Sequence, residues 1–265
     1  MTAPLLEASI AGIGFWTRGL PSWEAACAYV ADGTRPADPP AKPSPQLLAP
    51  NERRRAPETV AVALEVALAA CRAGGRDPAT LSSVFASTHG DLAITDYMCE
   101  TLAHEPRTIS PTRFHNSVHN AAAGYWTIGA GAMAPATAIS AYDASFAQGL
   151  LEALSQLATG TEAVLLVGYD SNAGGPLARV SRSLGLLGGA LLLVAEPQPG
   201  MPRLRVQLEA LRAENAAADG KLARLAAGNA MLPMLPLFEA LALRTGNAEL
   251  VAGPGTTLRM DIGYD

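Results

Sequence analysis

Residues 110–171 read SPTRFHNSVHNAAAGYWTIGAGAMAPATAISAYDASFAQGLLEALSQLATGTEAVLLVGYDS and contain the pattern that decides the fold. A helix of small residues is predicted within 112–132, followed by a strand over 136–142 and a helix over 146–158. A fully buried strand over 163–168 comes next. The tight turn between the first strand and its helix exposes side chains to free backbone N–H groups and to the helix dipole. Such a turn suits a catalytic nucleophile.

The segments on either side continue the alternation of strands and helices. Before this stretch, a strand is predicted over 8–15, a helix over 58–73 and a strand over 81–87. After it, residues 189–195 (GALLLVA) form another buried strand. Strands that alternate with helices in this way favour a parallel sheet. We therefore predict an α/β fold with a mainly parallel five-stranded sheet covered by helices.

The last quarter of the chain has a different pattern. Residues 203–210 alternate between apolar and polar side chains, which predicts a half-buried strand. A helix is predicted over 230–245 and a last strand over 257–262. We expect residues 1–198 to form the main unit and residues 199–265 to pack on it as a short appended segment.

Composition excludes several classes of function. The net charge is −5, so the chain has no cationic surface for nucleic acid or anionic lipid. The basic run Arg53–Arg55 is interpreted as a solvated helix start, with contact to an acidic carrier protein as the alternative. Cys27, Cys71 and Cys99 fit neither a disulfide framework nor a metal knuckle, and favour a reducing cytoplasm. The opening residues lack the charge pattern of a signal peptide, and no apolar run is long enough to span a membrane.

The turn at 141–145 (AYDAS) resembles the nucleophile elbow of the β-ketoacyl synthases, where a cysteine lies among small residues between a strand and a helix. Alignment places Asp143 at the cysteine position, with Ser145 beside it. The strands in 163–171 (AVLLVGYDS) and 188–196 (GGALLLVAE) also resemble strands of that family. The resemblance covers about residues 8–196 and implies a thiolase-like layered fold, with the second thiolase half strongly truncated.

Two departures from this family bear on activity. Asp143 is a poor nucleophile towards a thioester, and no histidine follows His119, although the family uses two histidines in its second half. A member without these groups resembles the chain-length factors, and residues 114–124 (FHNSVHNAAAG) resemble their short subgroup. The resemblance implies a non-catalytic subunit without a cofactor. Its partner would be a catalytic ketosynthase of polyene or fatty-acid-like synthesis, served by an acyl carrier protein.

The resemblance also suggests which residues shape the acyl tunnel and meet the partner. Ile94 and Met98 lie four apart on the predicted helix 91–102, with Tyr97 beside them, and are expected to floor the tunnel. Each could equally be an ordinary core residue. The strand 136–142 is expected to join the partner's sheet. The remaining candidates for the tunnel or the interface are Phe114, His115, His119, Asn120, Ile139 and Tyr142.

Two alternative functions stay open at this point. Asp143 and Ser145 with a histidine would suggest a stand-alone thioester hydrolase or decarboxylase, although the G-x-S-x-G motif is missing. A homodimeric acyl-binding scaffold is the other alternative. His115 and His119 have the spacing of metal ligands, but a third ligand is lacking, so a structural role is favoured. His89 is expected to meet Asp143 or His115.

Overall fold

The computed structural model describes residues 5–197, 199–210 and 219–264. The strands are β1 (Leu6–Thr17), β2 (Ser82–Ala86), β3 (Ala136–Ile139), β4 (Ala163–Asp170), β5 (Leu187–Val194), β6 (Arg203–Ala210), β7 (Asn247–Gly253) and β8 (Thr256–Gly263). The α-helices are α1 (Trp23–Asp32), α2 (Pro50–Arg55), α3 (Glu58–Ala73), α4 (Leu92–His104), α5 (Pro111–Asn116), α6 (Ala121–Ala130), α7 (Ser145–Ala158), α8 (Lys221–Leu225) and α9 (Leu235–Leu243). The predicted boundary at residue 198 and the chain's first four residues lie outside the described ranges.

All these strands belong to one mixed sheet in the order β3, β2, β4, β5, β1, β6, β8 and β7. Neighbours β3, β2 and β4 pair in parallel, whereas the other neighbours pair antiparallel. The prediction of a mainly parallel sheet of five strands is therefore wrong in strand number and in pairing. The physical reason is the connection over 171–186. It holds only a short 3₁₀ turn and lacks the helical crossover that usually joins parallel strands.

Helices cover both faces of the sheet. The predicted apolar stripe of α7 packs into one buried cluster, together with α9 and the inner residues of β4 and β5. On the other face, α3 is buried on nearly all sides, with α6 packed against it. Gly12 and Gly14 of β1 allow α3 to approach closely, because a Cβ at either position would overlap the Ala70 or Val66 carbonyl. These glycines therefore serve packing between the helix and the strand.

The tail extends the same sheet. Residues Arg203–Val206 of β6 pair with the start of β1, and β8 and β7 follow as a hairpin. The helix predicted over 230–245 begins only at Leu235. Leu232–Met234 form a 3₁₀ turn before it. Pro233 lies in that turn and Pro236 lies in the first turn of α9, positions where a proline does not remove a helical hydrogen bond. Within the described ranges, no helix has both the length and the apolar character that crossing a bilayer requires.

Candidate functional site

The strand-to-helix turn that the sequence singles out, residues 140–145, is the elbow of the structure. Strand β3 ends at Ile139, earlier than predicted, and α7 begins at Ser145 after a 3₁₀ turn over Tyr142–Ala144. Tyr142 has φ +52°, a left-handed conformation that is strained for a bulky residue. The sharpest point of the elbow is thus Tyr142, one residue before Asp143. The tyrosine side chain projects into solvent.

Ser145 stabilises the elbow from inside. Its hydroxyl donates to the Tyr142 carbonyl oxygen at 2.6 Å and accepts from the Ala141 N–H at 2.9 Å, and its side chain is completely buried. Asp143 is exposed and forms no hydrogen bond or ion pair within the described residues. A hydroxyl engaged on both sides and facing inward is poorly placed to attack a substrate. The elbow therefore does not present the nucleophile, base and acid arrangement of a hydrolase.

Three of the described histidines contact different partners. His89 packs edge-on against the Tyr142 ring, with 6.2 Å between ring centres, and His115 packs in the same way against Tyr125. His119 Nε2 lies 2.8 Å from the Ser87 carbonyl oxygen. The predicted meeting of His89 with Asp143 or His115 is replaced by the contact with Tyr142. No group of three metal-ligating side chains is found in the part of the chain that the structure describes.

A buried polar cluster lies at the carboxyl ends of β2 and β4, and its centre, Asp170, was not predicted from the sequence. Asp170 is 1% exposed and accepts hydrogen bonds from Ser87 Oγ at 2.6 Å and from the Thr88 N–H at 3.0 Å. Burial raises the pKa of the Asp170 carboxyl, and the hydrogen bonds from Ser87 and Thr88 oppose that shift. An acidic residue that directly ends an apolar strand is the sequence signal that could have revealed it.

The Asp170 cluster connects the elbow to the rest of the molecule. Ser140, at the start of the elbow, donates from Oγ to the Thr88 carbonyl at 2.9 Å. Ser87 Oγ accepts from the Gly90 N–H at 2.9 Å, and Ser87 binds His119 through its carbonyl. This long-range contact lies where the helix predicted within 112–132 is broken into α5 and α6. The cluster thus orients the elbow, the start of α4 and the turn before α6.

Helix α4 carries the residues expected to floor a tunnel. Asp91 caps the helix by accepting from the Ile94 N–H at 3.0 Å, and it also accepts from Thr59 Oγ1 at 2.8 Å. Ile94 is half-buried and lines a cavity of about 560 Å³ between α4 and α5. Met98 is buried one turn further along. Tyr97 accepts a hydrogen bond from the Ser110 N–H at 3.3 Å, so it joins α4 to the start of α5.

The candidate residues for a partner interface lie on or next to strand β3 and helices α5 and α6. Phe114, His115 and Asn120 are exposed, whereas Ile139 is half-buried and packs against the core. Two strongly exposed apolar side chains were not predicted: Ile128 is 79% exposed and Met133 is 96% exposed. Isolated exposed apolar residues are common, but several near one free strand edge favour an interaction surface. In the described sheet, β3 is an edge strand that pairs only with β2.

The family follows from the sequence over most of the chain. The model of the β-ketoacyl synthase N-terminal domain matches residues 23–243, which include the elbow and the Asp170 cluster. The chain belongs to the β-ketoacyl synthase family. No curated protein matches the sequence significantly.

Solved structures of ketosynthase complexes share the fold of this β-ketoacyl synthase family member. A chain of the ketosynthase ApeO in complex with its chain length factor ApeC, from Xenorhabdus doucetiae, superposes with a TM-score of 0.74 at 22% identity, covering 97% of this chain and 99% of that one. A chain of the AntDE:AntF complex, a type II ketosynthase with its acyl-carrier protein, gives 0.73 at 13% identity and 100% coverage of both. A chain of the ishigamide ketosynthase/chain length factor gives 0.69 at 15% identity, covering 97% and 99%.

All three cysteines of this family member lie outside the elbow. Cys71 is in the interior of α3, where burial raises the pKa of its thiol to about 12 and Asp77 adds a smaller effect. Cys27 in α1 is half-buried, and burial raises its pKa as well. Cys99 is exposed on α4. Because a reactive cysteine needs a stabilised thiolate, the two raised pKa values disfavour Cys27 and Cys71 as nucleophiles at neutral pH.

Proposed function

We propose that this chain is a non-catalytic, chain-length-factor-like subunit that forms a heterodimer with a β-ketoacyl-carrier-protein synthase. In that pair it would shape the acyl tunnel of the partner during polyene or fatty-acid-like chain elongation. The observation that carries the proposal is the elbow. It keeps the sharp strand-to-helix turn of the family but presents Tyr142 and Asp143 at that turn, with Ser145 buried behind them.

The chemistry of the elbow supports a role without covalent catalysis. Acyl transfer by this family needs a thiolate that attacks a thioester, and the elbow has no sulfur. A carboxylate at Asp143 would give a reactive mixed anhydride as its acyl product. The chain also has no histidine after His119 that could assist decarboxylation. The turn can therefore serve as a rigid structural element next to an active partner.

The free edge of β3 supports pairing with another strand. On its inner side, the carbonyl of Pro135 accepts from the N–H of Ser83 in β2 at 3.0 Å, and that of Ile139 accepts from the N–H of Ser87, directly after β2, at 3.1 Å. Because backbone groups alternate in direction along a strand, Ala136 and Ala138 direct their N–H and C=O groups away from β2. Their methyl side chains leave room for a second backbone. A partner strand at this edge would satisfy these groups and extend the sheet across the interface.

Apolar side chains beside that edge would supply the energy of association. Ile128 on α6 and Met133 after it are almost fully exposed, and Phe114 on α5 is exposed as well. Burying a large apolar side chain contributes about 1.5–3 kcal/mol. The similar structures support the kind of partner, because they are complexes of a ketosynthase with a chain length factor or with an acyl-carrier protein. We further propose that an acyl carrier protein reaches this subunit through the complex, in the cytoplasm.

Co-expression with a candidate ketosynthase tests the proposal. The two chains should elute together in size-exclusion chromatography, and the pair should condense malonyl thioesters, whereas this chain alone should neither condense them nor acquire an acyl group. Ile128→Asp combined with Met133→Asp should abolish co-elution, since it places two charges in the proposed interface.

The matched control is Leu243→Asp. Leu243 is also an exposed apolar residue, but it lies at the end of α9, which packs against α1 and α8. That variant should still bind the ketosynthase. A covalent acyl adduct on the isolated chain, detected by mass spectrometry, would contradict the non-catalytic role. Equal binding by the double variant and the control would contradict the proposed interface.

A further inference from the structure

The elbow tip, which we define as Tyr142 and Asp143, contains a left-handed residue that no helix end explains. Within the described ranges, only Tyr142 and Arg244 have a left-handed φ among residues other than glycine, +52° and +53°. Arg244 ends α9, and its N–H donates to the carbonyls of Ala240 and Leu241. A left-handed residue is common at the end of a helix, because it pairs the last carbonyls. Tyr142 precedes a helix instead, so this explanation does not apply to it.

The contacts around the elbow tip hold it in this conformation. The completely buried Ser145 hydroxyl binds both the Tyr142 carbonyl and the Ala141 N–H. His89 packs edge-on against the Tyr142 ring. Backbone strain of this kind persists only where the surrounding structure imposes it, and it is concentrated at functional sites. Here the strained backbone directs a large aromatic ring outward, with 71% of the residue exposed.

The face of the Tyr142 ring lacks the cover that other tyrosines of this chain have. An arginine lies over the rings of Tyr29, Tyr97 and Tyr264, at 4.7, 3.9 and 4.4 Å from the guanidinium carbon to the ring centre. Within the described ranges, no such cation lies over Tyr142. A cation over an aromatic ring is attracted by the negative face of its π system. The open ring face therefore suits a basic side chain from another molecule.

Asp143 adds a negative charge next to this ring. Its side chain is exposed, and it forms no ion pair with the residues that the structure describes. The planar guanidinium of an arginine can stack on an aromatic ring and can also pair with a carboxylate. The elbow tip thus combines an aromatic ring with a charge, and both groups are complementary to a basic residue.

The elbow tip lies close to the strand edge that is proposed to pair with the ketosynthase. Tyr142 follows Ile139, the last residue of β3, by three residues, which span at most about 11 Å of chain. In the described sheet, β3 pairs only with β2 and has a free outer edge. A partner that pairs with this edge would therefore lie beside the elbow tip as well.

We propose that the elbow tip inserts into the ketosynthase partner, where a basic side chain covers the Tyr142 ring and pairs with Asp143. This inference rests on the proposed function, since the ketosynthase is the partner proposed there. The surface of the partner would be a pocket with apolar walls and an arginine or lysine at its rim. An aromatic ring that is already fixed in its binding conformation is the kind of residue that dominates affinity at protein interfaces.

Affinity measurements between the full-length chain and a ketosynthase, at several ionic strengths, test the docking. Tyr142→Asn should weaken binding at least about tenfold, because it removes the ring, while asparagine tolerates the left-handed φ. Tyr142→Phe keeps the ring and should bind as the wild type does. Asp143→Asn should weaken binding about two- to fivefold at low ionic strength and reduce the salt dependence of the affinity, because it removes the paired charge.

Arg244→Asn is the matched control. It changes the other left-handed residue, at the end of α9, which packs against β7 at the opposite edge of the sheet. This variant should leave the affinity unchanged. Nitration by tetranitromethane, located by mass spectrometry, gives a measurement without substitutions. Tyr142 should react in the free chain and be protected in the complex with the ketosynthase.

The possible failures are distinguishable. Equal affinity of Tyr142→Asn and the wild type would overturn this inference while the pairing stands. Equal weakening by Tyr142→Asn and Arg244→Asn, or equal nitration of Tyr142 with and without the ketosynthase, would do the same. An unchanged salt dependence in Asp143→Asn would overturn the basic residue of the partner. A wild-type chain that does not bind any candidate ketosynthase would instead refute the proposed function, and this inference with it.

Discussion

Replacing Asp170 by leucine should strongly destabilise the protein, because the carboxylate is the acceptor at the centre of the buried polar cluster. The substitution removes the partners of Ser87 Oγ at 2.6 Å and of the Thr88 N–H at 3.0 Å. Both donors are buried, so water does not replace the lost acceptor. Leaving a buried donor unpaired costs about 1–3 kcal/mol, which gives about 2–6 kcal/mol for the two. That loss is a large part of the about 5–15 kcal/mol that stabilises a typical domain.

Asp170→Asn is the matched control, and it also tests the ionisation of this residue. The amide can accept from the Thr88 N–H and donate to Ser87 Oγ, as a protonated carboxyl would. Burial raises the pKa of Asp170 above its ordinary value of 3.8, so between pH 3.8 and the folded-state pKa the folded protein keeps a proton that the unfolded chain has lost. The contribution of Asp170 to stability is therefore complete below pH 3.8 and decreases as the pH rises through the folded-state pKa. Asparagine should abolish this pH dependence.

Urea unfolding followed by circular dichroism at several pH values measures both effects. The leucine variant should lose about 2–6 kcal/mol of unfolding free energy, and the asparagine variant much less. Relative to the wild type, the asparagine variant should gain stability as the pH rises above 3.8. Equal stability of the leucine variant and the wild type would refute the role assigned to the cluster. A constant difference between the asparagine variant and the wild type would refute the raised pKa.

Two further substitutions test the tunnel and the packing of the sheet. In the complex with a ketosynthase, Met98→Trp should shorten the product, because the larger side chain would fill part of the proposed tunnel. Leu102→Trp, on the exposed side of α4, should leave the product length unchanged. Equal product lengths for both variants, measured by mass spectrometry, would contradict the assignment of Met98 to the tunnel. Gly14→Ala should cost about 1–3 kcal/mol or more in thermal unfolding, because its Cβ would overlap the Val66 carbonyl. The control is Gly124→Ala in α6, where a Cβ would meet open space, and this variant should stabilise the fold by about 0.5–1 kcal/mol. Similar changes in stability for both variants would contradict the close approach of α3 and β1.

The sequence predicted best the elements whose pattern is local. Strands β4 and β5 are long apolar runs, and α7 has a clear apolar stripe, so their positions were confirmed within one or two residues. The break between α5 and α6 was missed, because it coincides with the contact between His119 and the distant Ser87. The antiparallel placement of β5 was missed too, since a strand's apolar run does not reveal its direction.

The candidate site was predicted only in part. The elbow lies where the alignment placed it, because a strand, small residues and an amphipathic helix follow one another directly. Its sharpest residue is Tyr142, however, and a positive φ at a tyrosine has no sequence signature. Asp170, at the centre of the polar cluster, is deeply buried although its side chain is ionisable. Burial of single polar residues depends on contacts that are distant in sequence, so periodicity alone does not indicate it.

The two ends of the sheet differ in the regularity of their edge strands. At one end, β7 is irregular between Val251 and Gly253, and the Gln148 amide of α7 donates to the Ala252 carbonyl at 2.5 Å. At the other end, β3 remains available. Pairing at β3, as proposed, would add one neighbour to the sheet, whereas the irregular backbone of β7 disfavours a second strand at the opposite edge.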